Sequence, residues 1–266
     1  MCESCGCDGG DAARLTTLTA PGHVHGDAGE VRVHGHVHDM GHDLGHEEEG
    51  HVVPLGRRVL ARNDELAARN REWLAERGIT ALNVMSSPGS GKTTLLERTV
   101  ADLGDDRPIS VIEGDQETLL DARRLIAAGA RTVQVNTGAG CHLDAAMVAG
   151  ALAALAPPDG STVFVENVGN LVCPALFDLG ERARVVLMSV TEGADKPLKY
   201  PHMFRGADVL LLNKTDLLPY VDFNVDACRD AARRLCPGLL VLPVSATRGD
   251  GLDAWYDWLA EAASGA

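Results

Sequence analysis

From residue 80 onward, short apolar runs alternate with longer amphipathic stretches. Seven runs have the length and β-branched content of strands: TALNVMS (80–86), PISVIEG (108–114), RTVQVN (131–136), STVFVEN (161–167), RVVLMSV (184–190), DVLLLN (208–213) and LLVLPVS (239–245). Helical spacing fills the segments between them, as in 143–156 and 221–235. Near-continuous apolar strands separated by helices predict an α/β fold with a mostly parallel sheet covered on both faces. Ahead of them, PLGRRVLARNDELAARNREWLAERG (54–78) places Leu55, Val59, Leu66 and Trp73 at helical spacing, and Gly78 supplies a stop. Nothing repeats at a fixed period.

Residues 1–51 follow no such pattern. Glycines interrupt them throughout, large apolar residues are few, and eight of the ten histidines stand in this segment. A disordered tail (1–51) followed by one globular domain with an N-terminal helix (52–266) is the expected organisation.

Composition narrows the function. A formal charge of −14 argues against general binding to nucleic acid or to an anionic membrane surface. No apolar run approaches the ~20 residues of a membrane span, and MCESCGCDGG lacks the parts of a signal peptide. The chain is therefore expected to be cytoplasmic, with its seven cysteines mostly reduced and suited to metal binding or packing.

SSPGSGKTT (86–94) follows a strand and opens a helix, the context of a phosphate-binding P-loop. Gly89, Ser90, Gly91 and Thr94 shape a loop whose backbone N–H groups close on phosphate oxygens, helped by the helix N-terminus. Lys92 is expected to reach the β- and γ-phosphates and Thr93 to ligate Mg²⁺. Ser86 stands where the first glycine of G-x-x-x-x-G-K-[ST] is usual. NKTD (213–216) ends a later strand and resembles the guanine-specificity motif of GTPases. The Asp216 carboxylate can accept from both N1–H and the 2-amino group of guanine, a pairing that adenine cannot offer. Lys214 would cover the base, Asn213 brace the loop, and the Ala246 N–H in the Ser245-Ala246 loop meet the guanine oxygen. In ENVG (166–169), Glu166 takes the place of the strand-end acid that holds Mg²⁺, with Gly169 beside the phosphates. Asp115 in EGDQET is either a switch-loop contact or a helix N-cap. The motifs together predict GTP/GDP as ligands.

Three groups of residues have metal-ligand character. Cys2, Cys5 and Cys7, with the terminal amine, suit square-planar Ni²⁺ or tetrahedral Zn²⁺. His23, His25, His34, His36, His38, His42, His46 and His51 suit low-affinity buffering of several ions, with a merely solubilising tract as the alternative. Cys141 and His142 follow one strand end, and Cys173 lies seven residues beyond Glu166. Singly each is an ordinary core residue; together they point to a ligand set at the C-terminal edge of the sheet. A helix start just after Cys141 is expected to favour its thiolate. Cys228 and Cys236 have no partner spacing and are expected to pack.

Taken together, MCESCGC, SSPGSGKTTLL, EGDQET, TGAGCHLD, ENVGNLVCP, TEGADKPLKYP and NKTDLLP closely resemble HypB-type hydrogenase nickel-incorporation GTPases, from about Pro54 to the C-terminus. The resemblance implies a SIMIBI-class P-loop NTPase that forms a nucleotide-dependent homodimer. It implies a nickel or zinc site of Cys141, His142 and Cys173 at the dimer interface, and a nickel-storing His-rich insert. It also implies delivery of nickel to a hydrogenase large-subunit precursor alongside a HypA-type metallochaperone. Hydrolysis is expected to be slow, since no glutamine or arginine stands in an obvious water-activating position; Lys196 or Lys199 would contact the γ-phosphate, across the dimer. Two rivals are a urease-type nickel-delivery GTPase, which typically carries a Cys-Pro-His motif absent here, and a metal storage protein whose nucleotide domain controls oligomerisation.

Overall fold

The computed structural model describes residues 14–18, 31–32, 52–116 and 118–264. Cys2, Cys5, Cys7, His23, His25, His34, His36, His38, His42, His46 and His51 lie outside the described residues. One part of the N-terminal segment departs from the disorder expected of it. Strand β1 (Arg14–Leu18) pairs antiparallel with the edge of the main sheet, and β2 (Val31–Arg32) pairs with β1. RLTTL has strand character, but its partner lies more than a hundred residues away, so local patterning does not announce it.

All seven expected runs form strands: β3 (Thr80–Ser86), β4 (Ile109–Asp115), β5 (Arg131–Asn136), β6 (Thr162–Glu166), β7 (Ala183–Ser189), β8 (Val209–Asn213) and β9 (Leu240–Pro243). The sheet order is β2-β1-β5-β4-β6-β3-β7-β8-β9, and β3 to β9 pair in parallel. Their period-2 alternation divides the core. Leu82, Val84, Val111, Phe164 and Val185 face α2 (Lys92–Leu103), α3 (Leu120–Ala127) and α8 (Leu252–Ser264). Ala81, Ile112, Val133 and Val165 face α1 (Val52–Glu76) and α4 (Ala145–Leu155). Met85, Val186 and Leu210 face the short α6 (Pro201–Arg205), which follows the single turn α5 (Lys196–Lys199), and α7 (Val225–Leu235). Cys228 is buried in this last cluster and Cys236 packs at its margin, as expected of packing residues. Among the described residues no helix is long and apolar enough to cross a membrane.

Helix α1 seats itself in a way the apolar spacing does not indicate. Val59 is 51% exposed, and among the described side chains of the helix, from residue 58 onward, the buried positions are Asn63, Ala67, Asn70 and Leu74, a stripe at helical spacing. Both asparagines find partners on other elements. The Asn63 amide donates to the Asp178 carbonyl at 2.7 Å, and its oxygen accepts from the Ala145 N–H at 2.9 Å. Asn70 donates to the carbonyls of Ala145 (2.8 Å) and Leu179 (3.0 Å). The helix thus grips the first residue of α4 from the side.

Candidate functional site

The loops that follow β3, β4, β5, β6 and β8 meet at the C-terminal edge of the sheet, where open α/β folds gather ligands. A cavity of about 520 Å³ opens there, lined by the P-loop, the ends of β4 and β6, and Lys214. Gly91 adopts φ +98°, and a Cβ on it would lie 2.6 Å from the Asn213 side-chain nitrogen, so only glycine fits the turn into α2. Ser86 is fully buried; its hydroxyl donates to the Ser87 carbonyl at 2.6 Å and accepts from Lys92 Nζ at 2.9 Å. The serine in the first-glycine position therefore serves as a docking point for the phosphate lysine. Burial lowers the Lys92 pKa from its ordinary value, and Glu166 opposes that shift.

Thr93 Oγ1 donates to Glu166 Oε1 at 2.7 Å, which brings together the two residues expected at Mg²⁺. Glu166 Oε2 is buried with no hydrogen-bond partner, and burial raises this carboxyl to about 7 against the pull of Lys92 and Thr93. Glu113, on the neighbouring strand and directly across from Glu166, was not singled out by sequence. Its Oε2 is likewise buried and unpartnered, and burial followed by Glu166 and Asp115 raises it to about 9. A buried pair of carboxyls with unpartnered oxygens beside a threonine hydroxyl is a set of oxygen donors of the kind that would suit Mg²⁺. Asp115 lines the same cavity and accepts from the Thr118 N–H and hydroxyl, both at 2.8 Å. It closes the turn after β4 and does not cap α3, whose N-cap is Leu119. Gly169 lines the cavity against Pro88 of the P-loop, which a Cβ would approach to 3.1 Å, and Thr94 accepts from Arg124 at 3.0 Å.

Arg124 and Gln116 also line the cavity. Gln116 stands in EGDQET without having been assigned a role, and Arg124 was visible in no motif, because α3 delivers it from outside any phosphate signature. Arg124 is engaged by Glu97 (2.6 Å) and Asp121 (3.2 Å).

At the NKTD end of the cavity, the Asn213 amide donates to the Ser90 carbonyl at 2.9 Å, tying that loop to the P-loop. Lys214 sits at φ +62° and donates to the Gly89 carbonyl at 2.7 Å. Ser245 donates to Asp216 Oδ1 at 2.6 Å. The Ala246 N–H, expected to meet a guanine oxygen, donates to Asn213 Oδ1 at 3.0 Å, because the two loops brace one another. A smaller cavity lined by Asn213, Lys214, Asp216, Ala246 and Thr247 lies beside the P-loop.

Sequence reasoning also passed over Glu192, in TEGADKPLKYP. This carboxylate accepts from the Ser87 hydroxyl, the Ser90 hydroxyl (2.8 Å) and the Ser189 N–H (3.0 Å), and pairs with Lys196. Burial opposes ionisation of Glu192, but Lys196 and these donors outweigh it and hold the carboxyl below its ordinary value. Of the two lysines expected at the γ-phosphate, Lys196 thus reaches the P-loop only through Glu192, and Lys199 pairs with Asp195 at 2.7 Å.

The metal ligands expected on this edge come together. One donor atom each from Cys141, His142 and Cys173 lie within 4.8 Å of one another, and this is the sole such cluster among the described residues. Cys141 Sγ is 3.7 Å from His142 Nδ1, and the imidazole stacks on Phe177 at 4.0 Å between ring centres. Cys173 opens a 3₁₀ turn, Cys173–Leu176. The thiolate expected from a helix dipole does not arise. Helix α4 begins only at Ala145, capped by Asp144, while burial and the neighbouring Cys173 push the Cys141 thiol up to about 11. Burial lowers the pKa of His142, so its ring is presented neutral, as a metal ligand must be.

This fold and edge define a P-loop nucleotide-binding protein with a preassembled Cys/His ligand set beside the phosphate cavity. Residues 80–243 match the family model "CobW/HypB/UreG, nucleotide-binding domain". The hydrogenase maturation factor HypB of Rhizobium leguminosarum bv. viciae is 57% identical over 208 residues, covering 78% of this chain and 70% of the relative. That of Escherichia coli (strain K12) is 46% identical over an alignment of 284 residues, covering 97% and 98%. The crystal structure of HypB from Helicobacter pylori in complex with nickel superposes with TM-score 0.72 at 40% identity, covering 76% of this chain and 95% of that one. The chain belongs to the HypB family of hydrogenase maturation factors.

Proposed function

We propose that this protein is a GTPase that delivers nickel during [NiFe] hydrogenase maturation. The single observation that carries the reading is the Cys141/His142/Cys173 ligand set on the same sheet edge as the P-loop cavity, separated from it by Asn167 and Leu143. The relatives' role in hydrogenase maturation and the nickel complex of the Helicobacter pylori protein support it. Nickel is the cargo; Zn²⁺ is a second ion that two thiols and an imidazole would accept.

GTP would be held by the P-loop amides of Gly89 to Thr94, with Lys92 leaving the Ser86 hydroxyl for phosphate oxygens. Thr93 and Glu166 would hold Mg²⁺, which offsets the phosphate charge when bound. Glu113 would accept hydrogen bonds from its water shell. Asp216 selects guanine, and Ser245 keeps that carboxylate oriented. With Arg124 engaged by Glu97 and Asp121, hydrolysis to GDP and phosphate is slow, on the order of 10⁻⁴ to 10⁻² s⁻¹. GTP binding would close a homodimer across the Cys173 face, and hydrolysis would release nickel towards a hydrogenase large-subunit precursor, with a HypA-type metallochaperone as the other partner. Cys2, Cys5, Cys7 and the histidines from His23 to His51 would form a reservoir upstream. This activity is assigned to the cytoplasm.

The test is hydrolysis of GTP and ATP by the full chain, with molecular mass recorded in GDP and in a non-hydrolysable GTP analogue, with and without nickel. GTP-selective turnover and a GTP-dependent dimer are expected. Equal use of ATP, or a mass indifferent to nucleotide, would sink the reading.

A further inference from the structure

We propose that Asn167 is the positioning residue that couples the metal ligands to the nucleotide cavity, with Leu143 as the part it holds; the proposal rests on the delivery reading above. The loop carrying Cys141 and His142 is gripped by the ends of two strands whose other side chains face the phosphate cavity. Just past β6, the Asn167 oxygen accepts from both the Leu143 N–H (3.1 Å) and the Val168 N–H (3.0 Å). From β4, the Asp115 carbonyl accepts from the Thr137 N–H at 2.9 Å. The Leu143 side chain is fully buried against Gly114, where a Cβ would come within 2.9 Å of Leu143 Cγ. Leu143 is thus wedged between the backbone that carries Glu113 and Asp115 and the backbone that carries Glu166.

Asn167 is itself anchored. Its amide donates to Asn83 Oδ1 at 3.2 Å, Asn83 donates to Glu181 Oε1 at 3.3 Å, and Glu181 accepts from the Leu179 N–H and from Arg184 Nε, both at 2.7 Å. Asn167, Asn83 and Glu181 are all buried. An asparagine suits this place because one side chain supplies an acceptor for two N–H groups and a donor for the anchor. An aspartate would set a bare oxygen against Asn83 Oδ1.

The far end of the loop cannot follow. Asn63 and Asn70 clamp the N–H and carbonyl of Ala145 to α1. A shift of residues 166–169 towards or away from phosphate therefore concentrates in Cys141–Asp144, between a moving hydrogen bond at Leu143 and a fixed one at Ala145. Cys141 is drawn in by a second contact, from its carbonyl to the Asn170 amide at 3.3 Å. The distance from Cys141 and His142 to Cys173 then changes with the nucleotide, and packed loops of this kind switch between discrete arrangements rather than bending continuously.

The experiment uses the full chain carrying Cys2→Ala, Cys5→Ala and Cys7→Ala, so that the thiolate-to-nickel charge-transfer band reports the GTPase cysteines. Nickel is titrated with GDP and with a non-hydrolysable GTP analogue, and the ratio of the two half-saturation concentrations is the readout. The parent is expected to show a ratio of about fivefold or more, a typical allosteric coupling. In Asn167→Ala the ratio is expected to fall to near one, with nickel and both nucleotides still bound stoichiometrically. Leu143→Val leaves the hydrogen bond but loosens the wedge, and is expected to lower the ratio at least twofold even where Asn167→Ala does not yield folded protein. A ratio unchanged in these variants overturns the link while the delivery reading stands. A parent ratio of one removes both.

Discussion

At the residue scale, Asp216 is a carboxylate whose orientation is set by Ser245 before any base arrives. Removing its charge should therefore act on selectivity more than on fold. Asp216→Asn is expected to weaken GTP binding by about 10- to 100-fold, the worth of a charge-assisted hydrogen-bond pair, and to leave phosphate binding intact. Competition of GTP and ATP against a fluorescent nucleotide reads this directly. The Cys141 thiol makes a second prediction. Held up to about 11, it is protonated throughout pH 6.5–8, so nickel must expel that proton. The logarithm of apparent nickel affinity should rise by about one or more per pH unit, and a flat profile would mean that Cys141 is no ligand. Glu113 titrates in the opposite sense for stability. Its folded pKa of about 9 exceeds the ordinary 4.5, so the native chain binds the extra proton between those values and loses stability as pH rises through the window. Thermal unfolding of Glu113→Gln should show that slope flattened, with the variant gaining about 1–3 kcal/mol on the parent by pH 9.

At the scale of elements, helix α1 shows how far apolar spacing misleads when polar side chains do the seating. The stripe through Val59, Leu66 and Trp73 suggests one face; the buried one contains Asn63, Ala67, Asn70 and Leu74. Asparagine buries at no loss when both its groups find partners, and those partners, Ala145, Asp178 and Leu179, are set by the rest of the fold. Asn70→Ala is expected to cost about 1–3 kcal/mol, since it leaves two buried carbonyls short of a donor. Val59→Ser should stay within about 0.5 kcal/mol. Chemical denaturation of the two variants checks the contrast, and equal losses would return the apolar stripe to the core. Strand β1 teaches the same lesson. Its five residues gain ladder partners only because β5 presents an open edge.

At the scale of the whole molecule, the exposed apolar residues Val172 and Leu176 flank Cys173 on the face assigned above to the dimer. Leu176→Glu is expected to leave GTP affinity unchanged and to weaken nucleotide-dependent association at least tenfold, about 1.4 kcal/mol or more. Sedimentation in the GTP analogue measures this, and an unaltered dimer would move the interface elsewhere. The parallel sheet, the P-loop, the NKTD loop and the Cys/His cluster were legible in the chain. Each depends on spacing along the backbone or on chemistry that only a few residue types supply: a glycine at φ +98°, a lysine for phosphate, a carboxylate for guanine, thiols for metal. Glu113, Glu192, Arg124 and the asparagine chain from Asn83 to Asn167 were not. Carboxyls, arginines and asparagines are common at any surface. What sets Glu113 and the asparagines apart is burial, and what sets Glu192 apart is a partner far along the chain, Ser90, 102 positions away. The sequence alone determined which chemistry the protein carries, because local geometry and side-chain type are written in short stretches. Only the tertiary structure decided how the P-loop cavity and the Cys141/His142/Cys173 cluster are set side by side, because that placement is made of long-range hydrogen bonds whose partners folding brings together.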